Sequence, residues 1–164
     1  KKYDLYADVI FVNGLLSFFL KRASTISELE RAVKINPSYI DANVLLMIMY
    51  AQEGLLSEFA DTRKNIVQKV GEEIKQHYFE LGLKAYEKRQ FGYGIFYFLA
   101  AEYLGMNVSI CRYNAAAMSS LARQYDLTKQ YAEYVISKDP SFRSIMERDK
   151  DFKGFFSSLF AEWF

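Results

Sequence analysis

The sequence predicts an all-α chain built from repeated helix pairs, and three observations carry that expectation. Pro occurs twice and Gly eight times in 164 residues, too little punctuation for many short strands. Apolar residues recur at spacings of three and four in one segment after another, with no strand-length alternation. The wording Lys34-Ile35-Asn36-Pro37-Ser38-Tyr39 returns as Lys138-Asp139-Pro140-Ser141-Phe142, so the two prolines stand 103 residues apart (140 minus 37). That separation is three periods of about 34 plus one, a helix-turn-helix repeat length.

Leu5, Val9, Val12, Leu15, Leu16 and Phe19 mark one side of a first helix ending near Lys21. Ser27 with Glu30 matches a capping box for a second helix carrying Ile26, Leu29, Ala32, Val33 and Ile35; Ser24 and Thr25 are equally good starts. This helix must stop before Pro37, because a proline pushes the preceding Asn36 out of the α region. Ser38 then falls where an N-cap is needed for a helix over 39–52, closed by Gly54. Residues 57–70, with Phe59, Ile66, Val67 and Val70, form the next helix, and Gly71 separates it from another over 72–89. Residues 93–104 are apolar around most of the circumference (Ile95, Phe96, Phe98, Leu99, Ala100), which places that helix between neighbours. Helices over 109–123 and 128–137 form the following pair, ended by Asp139-Pro140. A short helix at 142–148 and a last one at 151–164 complete the chain, the last facing Phe155, Phe156, Leu159, Phe160 and Trp163 inward.

Set out at the 34-residue period, the repeats run over 6–39, 40–74, 75–108 and 109–142, with one extra residue in the second and a cap over 143–164, all within one domain. The third is the most regular: Tyr78, Leu81 and Gly82 lead its first helix, and Gly94, Phe98 and Ala101 punctuate its second. Ala32 and Pro37 close the first repeat, Leu46, Tyr50 and Gly54 belong to the second, and Ala116 and Pro140 to the fourth. On these residues the chain resembles the tetratricopeptide repeat family over nearly its whole length. Phe59 and Arg63 depart from the family pattern in the second repeat. The resemblance implies a right-handed α-solenoid of about four helix pairs with a C-terminal capping helix, introduced by Asp149-Lys150-Asp151-Phe152. Gly82 and Gly94 are both expected where the two helices of the third repeat cross, with Tyr78 and Phe98 filling the flanks.

Composition narrows the chemistry. Twenty-one Lys and Arg against twenty Asp and Glu leave +1, which gives no electrostatic case for nucleic acid or an anionic lipid surface. One Cys and one His exclude an intramolecular disulfide and any site that needs two imidazoles. Glu73 and His77, at i and i+4, are two ligands and too few for a metal. Cys111 has Arg112 beside it but no base nearby in sequence, and is expected to be a small buried hydrophobe. Glu72-Glu73 and the Asp149/Asp151 pair fall at helix starts, where acids stabilise exposed amides. Gly92-Tyr93-Gly94 lacks the strand and the lysine of a phosphate loop. No catalytic residue, metal or cofactor is therefore expected. The apolar run at 9–20 would span about 18 Å as a helix against a hydrocarbon core of about 30 Å, so no membrane insertion is expected either. The opening Lys1-Lys2 in place of Met reads as a fragment of a longer polypeptide.

In tetratricopeptide proteins, ligands lie along a concave surface lined by the first helix of each repeat. The resemblance places Val44, Ile48, Gln76, Phe79, Leu83, Tyr86 and Tyr113 there, an apolar and aromatic stripe. Repeats that clamp the C-terminal carboxylate of chaperones use Lys, Arg and Asn at such places, and this chain offers only Asn114. The expected role is a non-catalytic scaffold for another protein or peptide, or for a second copy of itself. Bacterial members serve in envelope, secretion and motility assemblies, which would make this a soluble cytoplasmic or periplasmic domain. The alternative expectation is a regulatory or substrate-positioning module of an enzyme whose catalytic part lies elsewhere in the parent chain.

Overall fold

The computed structural model describes residues 2–19 and 25–161, with side chains for 8–19 and 25–158. The expected helix end near Lys21, the Ser24 start, and the side chains of Leu5, Leu159, Phe160 and Trp163 lie outside the described residues. Among the described residues there are ten α-helices, one 3-10 turn and no strand. The helices are α1 (Lys2–Phe19), α2 (Thr25–Ile35), α3 (Ile40–Gln52), α4 (Leu56–Val70), α5 (Ile74–Glu87), α6 (Phe91–Tyr103), α7 (Val108–Leu121), α8 (Tyr125–Lys138), α9 (Ser141–Arg148) and α10 (Lys153–Ala161), with the 3-10 turn at Lys150–Phe152. They form two compact units, Lys1–Ile74 and Lys75–Phe164, divided where the 34-residue period separates the second and third repeats. In the first unit α1 packs on α2, α2 on α3 and α3 on α4; in the second, α6 packs on α7, α7 on α8 and α8 on α9.

The same closing turn ends α3, α5 and α7, and Gly105 (φ 107°), with the Met106 N–H donating to Ala101, ends α6 in the same way. Gly54, Arg89 and Arg123 each adopt positive φ (73°, 56° and 59°). The following N–H donates five residues back in every case: Leu55 to Tyr50, Gln90 to Ala85, Gln124 to Ser119. This left-handed ending satisfies helix carbonyls that would otherwise lack partners. Only the first of the three is glycine; the arginines take a conformation that disfavours a Cβ, held there by the two bonds each turn makes. The three positions are 35 and 34 residues apart.

Three local expectations are corrected. Ser27 lies inside α2, which already includes Thr25, so Ser27-Glu30 is not a capping box; Glu30 accepts the Tyr50 hydroxyl at 2.8 Å. The N-cap of α3 is Tyr39 rather than Ser38, because Asn36 closes the proline turn by accepting the Ser38 N–H at 3.1 Å. Lys69 and Asn43 then tie this turn to the helices, donating to the carbonyls of Pro37 (2.7 Å) and Tyr39 (2.7 Å). The last helix is split, since the Asp149 carboxylate accepts the Asp151 N–H at 2.9 Å and winds a 3-10 turn before α10.

Helices α3 and α6 are the two most enclosed. Residues 44–50 of α3 are all buried, as are Gly94, Ile95, Phe96 and 98–102 of α6. Close approach makes this possible. A Cβ on Gly82 would lie 2.7–2.9 Å from three ring atoms of Phe98, so Gly82 is the crossing of α5 on α6 as expected. Gly94 is not part of that crossing: a Cβ there would meet the Met118 methyl of α7, so it serves the packing of α6 on the following helix. Gly14, which sequence reading passed over, does for α1 and α2 what Gly82 does for α5 and α6. Its Cβ would fall 2.7 Å from Leu29, and it precedes Gly82 by 68 residues, two periods.

The two glycines of the second unit should therefore respond differently to one methyl group. Gly82→Ala meets a buried aromatic ring that cannot step aside and should lower stability by about 1 to 3 kcal/mol. At Gly94 the obstacle is the tip of a flexible thioether, and alanine gains up to about 1 kcal/mol of helix propensity, so Gly94→Ala should stay within about 1 kcal/mol of the parent. Urea midpoints that rank the two variants the other way would show that these crossings are misassigned.

Candidate partner-binding face

Helix α5 shows two sides. Tyr78, Gly82 and Ala85 are buried, with the Tyr78 ring edge-on to Phe96 at 6.1 Å. Gln76, Phe79, Leu83 and Tyr86 follow at spacings of three, four and three and so share the other side. Gln76 is exposed and donates to Glu80 within its own helix at 3.2 Å. Phe79 is half-buried, its ring edge-on to Phe98 at 5.4 Å. Leu83 is 43% exposed and Tyr86 37%.

The Tyr86 end of this stripe is not empty. Its hydroxyl donates to an Asp151 carboxylate oxygen at 2.7 Å. On α7, the Tyr113 hydroxyl donates to Asp149, and the Ser120 hydroxyl donates to the Asp151 carbonyl at 2.7 Å. The Tyr113 ring lies between Phe142 and Phe152, 5.7 and 5.6 Å from their centroids, and Phe152 is wholly buried. Three donors on α5 and α7 thus seat the turn that the chain forms at 149–152. The Asp151 bond lifts the Tyr86 phenol above its ordinary pKa, with burial adding to it; at Tyr113 burial leads and the bond to Asp149 adds. Both phenols therefore remain protonated donors.

The seven residues expected on one binding surface have three different fates. Val44 and Ile48 are completely buried in the first unit, and their expected place on a binding surface is corrected: α3 is enclosed on nearly every side and has no open stripe. Gln76, Phe79 and Leu83 share the outward side of α5. Tyr86 and Tyr113 face the chain's own C-terminal turn, which sequence spacing could not anticipate because the partners are 65 and 36 residues away.

Sequence reading also missed the main polar centre of the second unit. Arg112 on α7 makes a two-pronged bond to Glu102 on α6 (2.5 and 2.8 Å), and the side chains are only 12% and 7% exposed. The guanidinium lies 5.2 Å from the ring centres of both Tyr131 and Tyr134 on α8 and 5.8 Å from that of Tyr103, so aromatic faces supply part of the solvation it has lost. Burial pushes the Glu102 carboxyl up while its bonds to Arg112 pull it back. Burial alone would lower the Arg112 guanidinium, but the hydrogen bonds and charge of Glu102 hold it charged. The neighbouring Cys111 is fully enclosed, and burial first, then Glu102, pushes its thiol up to about 12. A thiol so protonated is no nucleophile at neutral pH.

Among the described residues no buried side-chain nitrogen or oxygen lacks a hydrogen-bond partner, and no three His, Cys, Asp or Glu residues converge as a metal site. Also among them, no helix is long and apolar enough to cross a membrane. No protein-family model, curated protein or solved structure matches the chain.

Removing one partner of the buried pair strands the other. Arg112→Met should lower stability near pH 7 by about 3 to 5 kcal/mol. With its balancing cation gone, Glu102 has a folded-state pKa further above the unfolded value. Its contribution is then favourable below the unfolded pKa and lost as pH rises through the folded one, so the variant should recover part of the deficit on going from pH 7 to pH 5. A deficit that stays constant over this range would show that Glu102 is not strained by burial. Cys111 gives an independent check: at pH 8 a thiol reagent should label it at the rate of unfolding, and fast labelling of the native chain would contradict its enclosure.

Proposed function

We propose that this chain is a tetratricopeptide-like repeat domain, wound as a right-handed solenoid, that acts as a non-catalytic scaffold for another protein or peptide. Two structural periodicities support the repeat assignment: the left-handed closing turns at Gly54, Arg89 and Arg123, spaced 35 and 34 residues apart, and the tight crossings at Gly14 and Gly82. The spacing of 35 falls in the repeat to which sequence analysis gives one extra residue. Burial of Val44 and Ile48, and the engagement of Tyr86 and Tyr113 by the turn at 149–152, narrow the contact to α5, with Gln76, Phe79 and Leu83 at its centre.

The exposure of Leu83 carries the binding assignment. It is a large aliphatic side chain, 43% exposed, between Phe79 and Tyr86 on a helix that buries its opposite side. Apolar and aromatic area of this kind, flanked by polar Gln76 and Glu80, is what a partner's side chains cover. Because Leu83 keeps a large part of its area in water, it is the position of the stripe best suited to separate binding from stability. Leu83→Asp should leave the melting midpoint nearly unchanged, whereas a partner recovered from an extract of the expressing cells by the parent chain should be recovered at least about tenfold less well, corresponding to about 1.4 kcal/mol. Lys88→Glu, exposed on the following turn, should change neither. A folded Leu83→Asp chain that recovers the same proteins in the same amounts would remove α5 as the contact.

A further inference from the structure

The occupant of the α5–α7 face shows what chemistry that face accepts. Segment 149–152 is held through four separate features: the Asp149 carboxylate by Tyr113, the Asp151 carboxylate by Tyr86, the Asp151 carbonyl by Ser120, and the Phe152 ring by burial against Tyr113. Two neutral phenols and one hydroxyl, all donating, select acceptors without the fixed positive charge that would attract every anion. The aromatic wall selects a ring three positions after the first acid. The seat therefore reads a pattern, acid-any-acid-aromatic, in a turn whose shape the first acid sets through its bond to the third residue's N–H.

The hold is uneven along the segment. Tyr113 and Phe152 are on the enclosed side, while Tyr86 is 37% exposed and its bond to Asp151 is open to water. Next to that exposed end lies Leu83, one turn back along α5. A partner that first covers Leu83 would reach the weakest bond of the seated turn before any other.

We propose that the seat made by Tyr86, Tyr113 and Ser120 is a recognition site for a partner segment of Asp-x-Asp-Phe chemistry, and that residues 149–152 are its built-in competitor. This rests on α5 being the partner-facing helix and gives the partner a sequence pattern. The tethered copy competes at an effective concentration of about millimolar, so the free chain is guarded against weak ligands.

The test uses the full chain and a synthetic peptide with the sequence of residues 147–156. Asp149→Ala with Asp151→Ala removes the two acids by which the tethered copy holds the phenols, and this double variant should take up the peptide at least about tenfold more tightly than the parent. Adding Tyr86→Phe and Tyr113→Phe should reverse the gain, as should replacing both peptide aspartates by alanine. Equal uptake by parent and double variant, uptake indifferent to the phenols, or no uptake by a folded double variant would each overturn the proposal. If the double variant does not fold, Tyr86→Phe in the parent decides. Amide exchange at 149–153 should then rise at least about threefold with α7 unchanged, and the proposal fails if exchange there is unaltered or if α7 opens with it. Recovery of a Leu83-dependent partner that lacks the pattern, with no peptide uptake, would refute this inference and leave the scaffold assignment standing.

Discussion

Helix α7 is the constraint on which the second unit depends, because three separate surfaces must be satisfied by fourteen residues. Met118 presses on the bare backbone at Gly94, so α6 can approach only where a side chain is missing. Cys111, 115–118 and the hydroxyl of Ser119, which meets Thr128 of α8 at 3.0 Å, are enclosed with it. Tyr113 and Ser120 take the C-terminal turn. Alanine at 115, 116 and 117 is the residue such crowding allows, since it packs closely and favours the helix. A larger residue would have to displace one of three neighbours.

The Arg112–Glu102 pair explains how that crowding is given one register. An all-apolar junction between α6, α7 and α8 would pack with similar energy in several slid arrangements. A bidentate ion pair inside a ring of tyrosines tolerates one, since a shift of a single residue would leave a charge buried and unpaired. The pair is therefore better understood as a device for specificity than as a source of net stability, its desolvation cost offsetting much of its attraction. In the first unit the Tyr50 hydroxyl donates to the Glu30 carboxylate and Lys69 to the Pro37 carbonyl.

The α5 stripe illustrates how one pattern of residues divides between packing and exposure. Phe79 packs edge-on against Phe98, Tyr86 is engaged by Asp151, and Leu83 between them is 43% exposed. Tyrosine can stand on both sides of that division, since its ring packs while its hydroxyl reaches a partner that may be part of the same chain or of another. The turn at 149–152 meets this side of α5 through Tyr86 and the side of α7 that carries Tyr113 and Ser120.

The sequence by itself determined the helical class and most helix boundaries to within two or three residues, and it set the expectation of a repeat near 34. These follow from local rules: the 3.6-residue apolar period, the glycines and prolines between helices, and the recurrence near 34. It also placed Gly82 at a crossing and Cys111 in the interior. Tertiary structure alone decided which apolar stripe remained outside. Val44 and Ile48 have the same periodicity as Phe79 and Leu83, and only the neighbours that enclose α3 distinguish them. The Ser38 cap, the unbroken last helix and the Gly94 crossing failed for a related reason. Each depended on a competing partner, Asn36, Asp149 or Met118, whose claim on the site is set by geometry. The Arg112–Glu102 pair and the seating of Asp149 and Asp151 were illegible because charge and hydroxyl groups show no period. Their partners lie 10 to 65 residues away, and nothing short of the folded chain brings them within a hydrogen bond.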